Sequence, residues 1–354
     1  MLLLPQLATH NIVSGKTILL TGAGGSIGSA LAKAIIRMAP RRLILLDHSE
    51  RNLNQIDLEL AAATNDNSYT SVLGDICDAR LLSELFRRYR PEVAYHAAAF
   101  KHVPLMESNP IAVVRNNALG TALLAQVARE EGATILVMVS TDKAVNPISI
   151  MGASKRIAEQ VLLRWNSSKT RMSAIRLGNV LASQGSVVPR FLQQISRGGP
   201  VTVTHADASR YFLTIDEAVE LILLASALQE DGGIFVPRLT APVKILDVAR
   251  QLIADAKSKS QKDIPVVFTG LRPGDKLSEE FLSPNESAEP TADRRLFRVN
   301  TEDILASRFD TCLAELSRSV AERDLPSMMA TLRILVPDYR PTELLQRARE
   351  SYAV

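Results

Sequence analysis

The sequence predicts an α/β protein, a doubly wound parallel sheet followed by a smaller C-terminal α/β cap. Three observations carry this. Short β-rich apolar runs alternate with helix-length segments through the first half of the chain, the pattern of βαβ units. The first of those runs ends in a glycine cluster that opens onto a helix. After about Gly178 the alternation loses its regularity, and short strands mix with helices.

Lys16 to Thr21 reads as the first strand and Ile27 to Met38 as the helix after it. Arg42 to Leu46 is the second strand, ending at Asp47, and Asn52 to Ala63 is helical. Tyr69 to Leu73 and Val93 to Ala97 supply two more strands. Pro110 to Glu130 reads as one long helix, Thr134 to Ser140 as the fifth strand, Met151 to Trp165 as a helix and Ser173 to Leu177 as the sixth strand. Beyond them, Val201 to Thr204 and Val266 to Thr269 are short strands, and Asp216 to Leu228 and Ile245 to Ala254 are helices. Ser283 to Asp293, rich in Ser, Pro, Asn and Glu, reads as a mobile loop. Thr301 to the end is helical, broken near Pro337.

Composition excludes several classes. The 354 residues are 46% hydrophobic and 22% charged, ordinary for a globular chain. No uninterrupted apolar run suits a membrane span, and Pro5 breaks the opening Met1-Leu2-Leu3-Leu4. The expectation is a cytoplasmic protein without membrane contact of its own. Net charge is +3, with no long basic run and no basic-aromatic stripe, so no nucleic acid partner is expected. The two cysteines, Cys77 and Cys312, lie far apart and the five histidines are scattered, which predicts neither a disulfide framework nor a metal site.

The glycine cluster is Thr21-Gly22-Ala23-Gly24-Gly25-Ser26-Ile27-Gly28, between a strand and a helix. Glycines there give a tight turn, close approach of a pyrophosphate to the backbone, and close packing of helix on strand. The helix start then offers unpaired amides and a positive dipole end. Asp47, ending the next strand, is placed to accept the ribose hydroxyls of an adenosine. The pattern is a Rossmann-type dinucleotide site. A carboxylate at Asp47 would repel a 2′-phosphate, so NAD is expected over NADP, with Arg51 softening that preference. Asp75 reads either as an adenine contact or as a plain turn residue. Ile76, Ala97, Ala98, Lys101 and Lys155 complete the expected cofactor contacts. The chain divides into an N-terminal extension (1–15), a NAD-binding domain (16–178), a substrate-binding region interleaved with the core (179–300) and a C-terminal helical region (301–354).

Ser140-Thr141-Asp142-Lys143 lies where the fifth strand ends, and ligands of open α/β sheets bind outside those carboxyl ends. Met151 and Lys155, four apart on the following helix, share one face. These runs, with His96-Ala-Ala-Ala-Phe-Lys-His-Val-Pro104, Arg176-Leu-Gly-Asn-Val180, Ser209-Arg-Tyr-Phe212 and Arg272-Pro-Gly-Asp-Lys276, resemble the polysaccharide-biosynthesis branch of UDP-N-acetylglucosamine 4,6-dehydratases. That branch belongs to the extended short-chain dehydrogenase/reductases, and the resemblance runs from about Lys16 to at least Phe281.

The resemblance implies a UDP-sugar substrate, tightly bound NAD, and 4,6-dehydration of a UDP-N-acetylhexosamine for polysaccharide or glycan biosynthesis. It implies that Asp142 protonates the leaving hydroxyl and Lys143 handles the carbon 5 proton; the reversed roles stay open. Lys155 would hold the nicotinamide ribose. The wider superfamily has tyrosine where this chain has Met151, and a thioether has no exchangeable proton. Thr141, then Asp142, are the candidates for the carbon 4 proton. Met at this position is typical of larger, membrane-anchored members, so the expectation is a soluble member or a catalytic fragment, with retention at carbon 5. Arg210 and Arg272 are expected to clamp the substrate diphosphate and Asn179 to orient it, and Lys101 reaches either the substrate or the cofactor. A homodimer or higher homo-oligomer is expected, paired through the helices over Pro110 to Glu130 and Met151 to Trp165. Two other readings remain, a nucleotide-sugar 4-epimerase and a non-catalytic NAD- or nucleotide-sugar-binding regulator.

Overall fold

The computed structural model describes residues 4–351 except 65–67, 182, 184, 229–231, 239–240, 261–262 and 302–307. Helix α1 (Leu4–Val13) precedes β1 (Thr17–Thr21), whose five residues are all buried. An unbroken apolar run of this kind belongs in a parallel sheet covered on both faces. Helices α2 (Ser26–Ile36), α3 (Glu50–Ala63) and α4 (Ala79–Tyr89) alternate with β2 (Arg42–Asp47), β3 (Tyr69–Leu73) and β4 (Val93–His96). Ser49 caps α3 and Asp78 caps α4, each accepting backbone amides of the first turn.

The long helix expected over Pro110 to Glu130 is not continuous. After α5 (Val103–Glu107) come α6 (Pro110–Val113), a π-helical turn (Val114–Leu119) and α7 (Gly120–Glu130). The turn places Asn117 fully inside, where its amide bonds both backbone groups of Phe100 and the Ser154 hydroxyl. Wide turns of this type recur at functional sites. Next come β5 (Ile135–Thr141), α8 (Ile150–Trp165), β6 (Arg171–Leu177) and β7 (Asn179–Val180).

The later half is a small layer made of α9 (Val187–Ser196), β8 (Val201–Val203), β9 (Ser209–Arg210), β10 (Phe212–Leu213), β12 (Val243–Lys244), α11 (Ile245–Ser260) and β13 (Val266–Phe268). Its own core gathers Phe191, Val201, Val203, Ala208 and Ala249. Helix α10 (Ile215–Ala227) and strands β11 (Gly233–Pro237), β14 (Glu286–Pro290) and β15 (Leu296–Thr301) return to the main body. The main sheet runs β14-β15-β11-β6-β5-β4-β1-β2-β3. It is parallel from β11 to β3, and β14 and β15 close one edge antiparallel.

Two expectations are corrected here. Ser283 to Asp293 is not all loop: β14 pairs with β15 from Glu286 opposite Thr301 to Pro290 opposite Phe297. Its polar residues suit a half-exposed edge, so the strand carries no apolar alternation to betray it. Thr301 ends a strand rather than beginning the helical region, whose helices are α12 (Phe309–Ala321), α13 (Leu325–Leu335) and α14 (Glu343–Ser351).

Helices α12 and α13 settle against α8 and the π-helical turn. Arg164 stacks over Phe309, the Trp165 indole donates to Asp310 at 3.3 Å, and the Gln160 amide donates to the Leu335 carbonyl at 3.0 Å. Part of α8, one of the two helices expected to meet a second copy, is therefore covered by this chain's own C-terminal helices. No described helix is long and apolar enough to cross a membrane.

Candidate active site

The carboxyl ends of β1, β4, β5 and β6 open into a cavity of about 890 Å³ between the main sheet and the smaller layer. Gly25, Ser26, Ile27, Gly28, Ala97 and Lys101 line it, with Thr141, Lys143, Met151, Lys155, Asn179, Arg210 and Arg272. Thirteen residues singled out from the sequence thus share one wall. Gly22, Gly24, Asp47, Asp75, Ile76, Ala98 and Asp142 do not line it. A larger, shallower groove between α7 and α12 holds none of the expected catalytic residues.

The glycine loop is built by steric need. A Cβ at Gly22, where φ is +69°, would lie 2.5 Å from the Ala98 amide nitrogen; at Gly28 it would lie 2.0 Å from the Gly22 carbonyl. Helix α2 then begins at Gly25, which caps it with no side chain. Its first residues line the cavity, and a helix start with unpaired amides suits a phosphate. Asp47 is buried and braces the loop, accepting from the Gly24 amide at 2.9 Å and the Ser49 amide at 2.8 Å. A carboxylate has lone pairs to spare beyond these two bonds, so the residues fit the adenosine end of a dinucleotide. Asp75 accepts from the Cys77 amide at 2.9 Å in a turn, with its other oxygen 3.7 Å from Arg115.

Behind the loop runs a buried polar chain with no local sequence signature. The Thr121 hydroxyl donates to the Asn117 carbonyl at 2.6 Å, so it must accept from His96 Nε2 at 2.9 Å. Nδ1 then accepts from the Thr21 hydroxyl at 2.7 Å. Burial, reinforced by the Lys155 charge, pulls the imidazole down to about 3 and keeps it neutral.

Strand β5 ends at Thr141, and a single 3₁₀ turn over Asp142–Ala144 follows, with the Thr141 oxygen accepting the Lys143 amide. The Asp142 carboxyl is completely buried. Its Oδ1 accepts from the Thr141 hydroxyl and from Lys143 Nζ, both at 2.9 Å, and its Oδ2 has no hydrogen-bond partner among the described residues. Asp142 therefore reaches the cavity only through its two neighbours. Lys143 Nζ also lies 3.3 Å from Asn179 Oδ1 and 3.4 Å from Glu279 Oε1. Burial works against its charge, yet Asp142 and Glu279 outweigh burial and hold the ammonium above the usual lysine range.

Met151 and Lys155 occupy successive turns of α8 as the spacing predicted, both buried at the cavity wall. The Ser149 hydroxyl caps the helix, and Glu107 accepts the Ile150 amide at 2.7 Å while holding the Thr342 hydroxyl at 2.6 Å. Burial pulls Lys155 down to about 8, against the charge of Glu159 one turn on. At neutral pH the buried ammonium therefore costs about 3 kcal/mol. Lys155→Met is expected to raise stability by about that amount at pH 7. Because the native pKa is the depressed one, the advantage should shrink as pH rises from about 8 towards 10.5. Urea unfolding of both proteins at pH 7 and 10 checks it; a variant less stable at pH 7 would refute the assignment.

The expected diphosphate clamps are only partly free. Arg210 donates to the carbonyls of Ser209, Lys276 and Leu277, at 2.7, 2.8 and 3.1 Å, and so anchors the loop that carries Lys276 and Glu279. Arg272 is half exposed and held by Asp275 at 2.8 Å. Lys101, whose charge burial disfavours, faces the cavity beside His102.

Sequence reading missed a second buried cluster. Arg176 spends all five N–H donors: two on Glu159, at 2.9 and 3.0 Å, two on Glu286, at 2.7 and 2.9 Å, and one on the Phe281 carbonyl at 2.7 Å. Arg156, the Ser140 hydroxyl and the Ser283 amide also donate to these acids. The cluster ties β14 and the Phe281 segment to β5, β6 and α8, with Glu159 one turn beyond Lys155. Glu159 and Glu286 carry no local motif; Arg176 and Arg156 pair them.

Fold and site together define a Rossmann-fold protein of the extended short-chain dehydrogenase/reductase class, with Met-x-x-x-Lys at the head of α8. The chain belongs to the polysaccharide biosynthesis protein family, whose model matches residues 18–301. It is 43% identical over 316 residues to the capsular polysaccharide biosynthesis protein CapD of Staphylococcus aureus, which covers 88% of this chain and 53% of that protein. It thus spans about half the length of that relative. The UDP-N-acetylglucosamine 4,6-dehydratase (inverting) of Campylobacter jejuni, strain 81-176, is 32% identical over 280 residues, covering 77% of this chain and 79% of that one. Among solved structures, Pen from Bacillus thuringiensis matches with a TM-score of 0.74 at 25% identity, covering 83% of this chain and 91% of the other.

Proposed function

We propose that this protein is a NAD-dependent 4,6-dehydratase of a UDP-N-acetylhexosamine, UDP-N-acetylglucosamine first, acting in polysaccharide biosynthesis. One observation carries the reading. Thr141, Asp142 and Lys143 form a hydrogen-bonded trio at the end of β5, and the glycine loop opens onto the same cavity. A 4-epimerase also needs a group for the carbon 4 proton, but it eliminates nothing and so has no need of the Asp142–Lys143 pair.

Gly25 to Gly28 and Asp47 hold the dinucleotide, which supplies an acceptor for the carbon 4 hydrogen and a donor of the same hydrogen to carbon 6. Asp47 favours NAD over NADP. Thr141 takes the carbon 4 hydroxyl proton and passes its own to Asp142, since the two already share a 2.9 Å hydrogen bond. This does the work of the tyrosine that Met151 replaces. Asp142 returns the proton through Thr141 to the departing carbon 6 hydroxyl, and Lys143 removes the carbon 5 proton. A single base that returns this proton from the side it left gives retention at carbon 5. Asn179, Arg272 and Lys101 face the diphosphate, and Arg210 holds the loop beside it.

The test is incubation with NAD and UDP-N-acetylglucosamine in deuterated water. A product lighter by one water, deuterated at carbon 5 and with retained configuration, is expected by mass spectrometry and NMR. An isomer of unchanged skeleton would make the protein an epimerase, and tight binding without conversion would make it a regulator. Thr141→Val should slow the appearance of reduced nicotinamide in a single turnover by about a hundredfold. An unchanged rate would remove Thr141 from the proton path.

A further inference from the structure

Glu279 stands out among the groups that neither the motifs nor the proposed trio uses. It is 5% exposed and comes from the segment after Arg272-Pro-Gly-Asp-Lys276. Its Oε1 lies 3.4 Å from Lys143 Nζ and 3.9 Å from Arg210 Nε. Its Oε2 lies 3.7 Å from Lys276 Nζ and has no hydrogen-bond partner among the described residues. A buried carboxylate oxygen left without a donor is costly, and such groups persist where they have work to do.

The dehydratase reading poses a problem that this carboxylate answers. Lys143 must be an uncharged amine to take the carbon 5 proton, yet it rests between two carboxylates that hold it charged. We propose that Glu279 accepts the Lys143 ammonium proton before elimination and returns it afterwards, acting through Lys143 as a positioning residue. The inference rests on the dehydratase reading.

The protons balance. At rest Lys143 is the ammonium, set between Asp142 and Glu279, with Arg210 and Lys276 also beside Glu279. When the carbon 4 proton reaches Asp142 through Thr141, Lys143 loses one of its two counter-charges. Its proton then moves to Glu279 Oε1, leaving a neutral amine beside two neutral acids, and a neutral pair escapes the desolvation that a buried ion pair suffers. Lys143 takes the carbon 5 proton as the carbon 5–carbon 6 double bond forms and the carbon 6–oxygen bond breaks. Asp142 supplies the proton that leaves with that oxygen as water. When carbon 6 receives the hydrogen that left carbon 4, Lys143 returns its proton to carbon 5, and Glu279 restores the ammonium. Each group ends as it began, and no outside acid or oxidant is consumed.

Glu279→Gln keeps the shape and cannot take the proton. The experiment compares it with Glu279→Asp and the natural protein on UDP-N-acetylglucosamine with NAD in deuterated water. It reads reduced-nicotinamide absorbance, deuterium at carbon 5, loss of water, and the melting midpoint. For Glu279→Gln the reduced nicotinamide should still form and accumulate, while carbon 5 exchange and dehydration fall about a hundredfold or more. Glu279→Asp should recover at least about tenfold of that loss. Undiminished carbon 5 exchange in Glu279→Gln overturns the proposal while leaving the dehydratase reading intact. Loss of nicotinamide reduction together with exchange, in a protein that melts normally or not, also overturns it, because Glu279 would then serve oxidation or the fold. If the natural protein releases no water, the dehydratase reading fails and takes this one with it.

Discussion

Asp142→Asn is expected to lower dehydration about a thousandfold while the protein still folds and binds NAD. The asparagine keeps the size of the buried side chain and can still accept from Thr141. It cannot store the carbon 4 proton, and it removes the nearer of the two charges that hold Lys143. Folding should suffer by about 1–3 kcal/mol, because the new amide has buried N–H groups and no partner at the Oδ2 position. Product formation followed by mass, with NAD binding measured in parallel, separates chemistry from folding. Activity within tenfold of the natural protein would mean that Asp142 only positions Lys143, and the proton path would have to be redrawn.

Arg176→Met should be the most destabilising substitution outside the apolar core, costing about 3–5 kcal/mol. The methionine fills much of the space but strands the Glu159 and Glu286 carboxylates, 0% and 1% exposed, with Arg156 as the one ion-pair partner left among the described residues. Removing one partner of a buried ion cluster costs more than the cluster itself contributes, since a desolvated charge is left behind. The urea midpoint measures this directly. The pH dependence carries a second signature. Burial opposes the charge of Glu286, but Arg176 and Arg156 outweigh it and pull its carboxyl down to about 2. A depressed native pKa means stability that is present above the unfolded value near 4.5 and lost as pH falls towards 2. The natural protein should therefore lose stability across that window, and Arg176→Met should lose less. Equal acid sensitivity would show that the cluster is not what ties β14 to α8.

Much of the site was legible early because its parts are local. The glycine loop, Thr141-Asp142-Lys143 and the Met151–Lys155 spacing each sit on one turn of chain, and the sheet gathers them at one cavity. Glu279 was not legible, since it stands in a run of charged residues with no periodic signal and reaches Lys143 only because Arg210 folds its loop inward. His96 stands within a motif that gives it no role; burial and the Lys155 charge keep it neutral, and its hydrogen-bond partners Thr21 and Thr121 lie on other elements.

The chain's order of apolar runs and glycines, by itself, determined the parallel sheet and the dinucleotide loop, because strand burial and backbone freedom are properties of neighbouring residues. Only the tertiary structure decided that a polar stretch after Ser283 becomes an edge strand, through pairing with β15 and the grip of Arg176 on Glu286. It alone decided, too, that Asp142 lies behind the cavity wall, with Thr141 and Lys143 between it and a bound ligand. Charges in water are set by their own chemistry; once buried, they are set by what the fold brings against them.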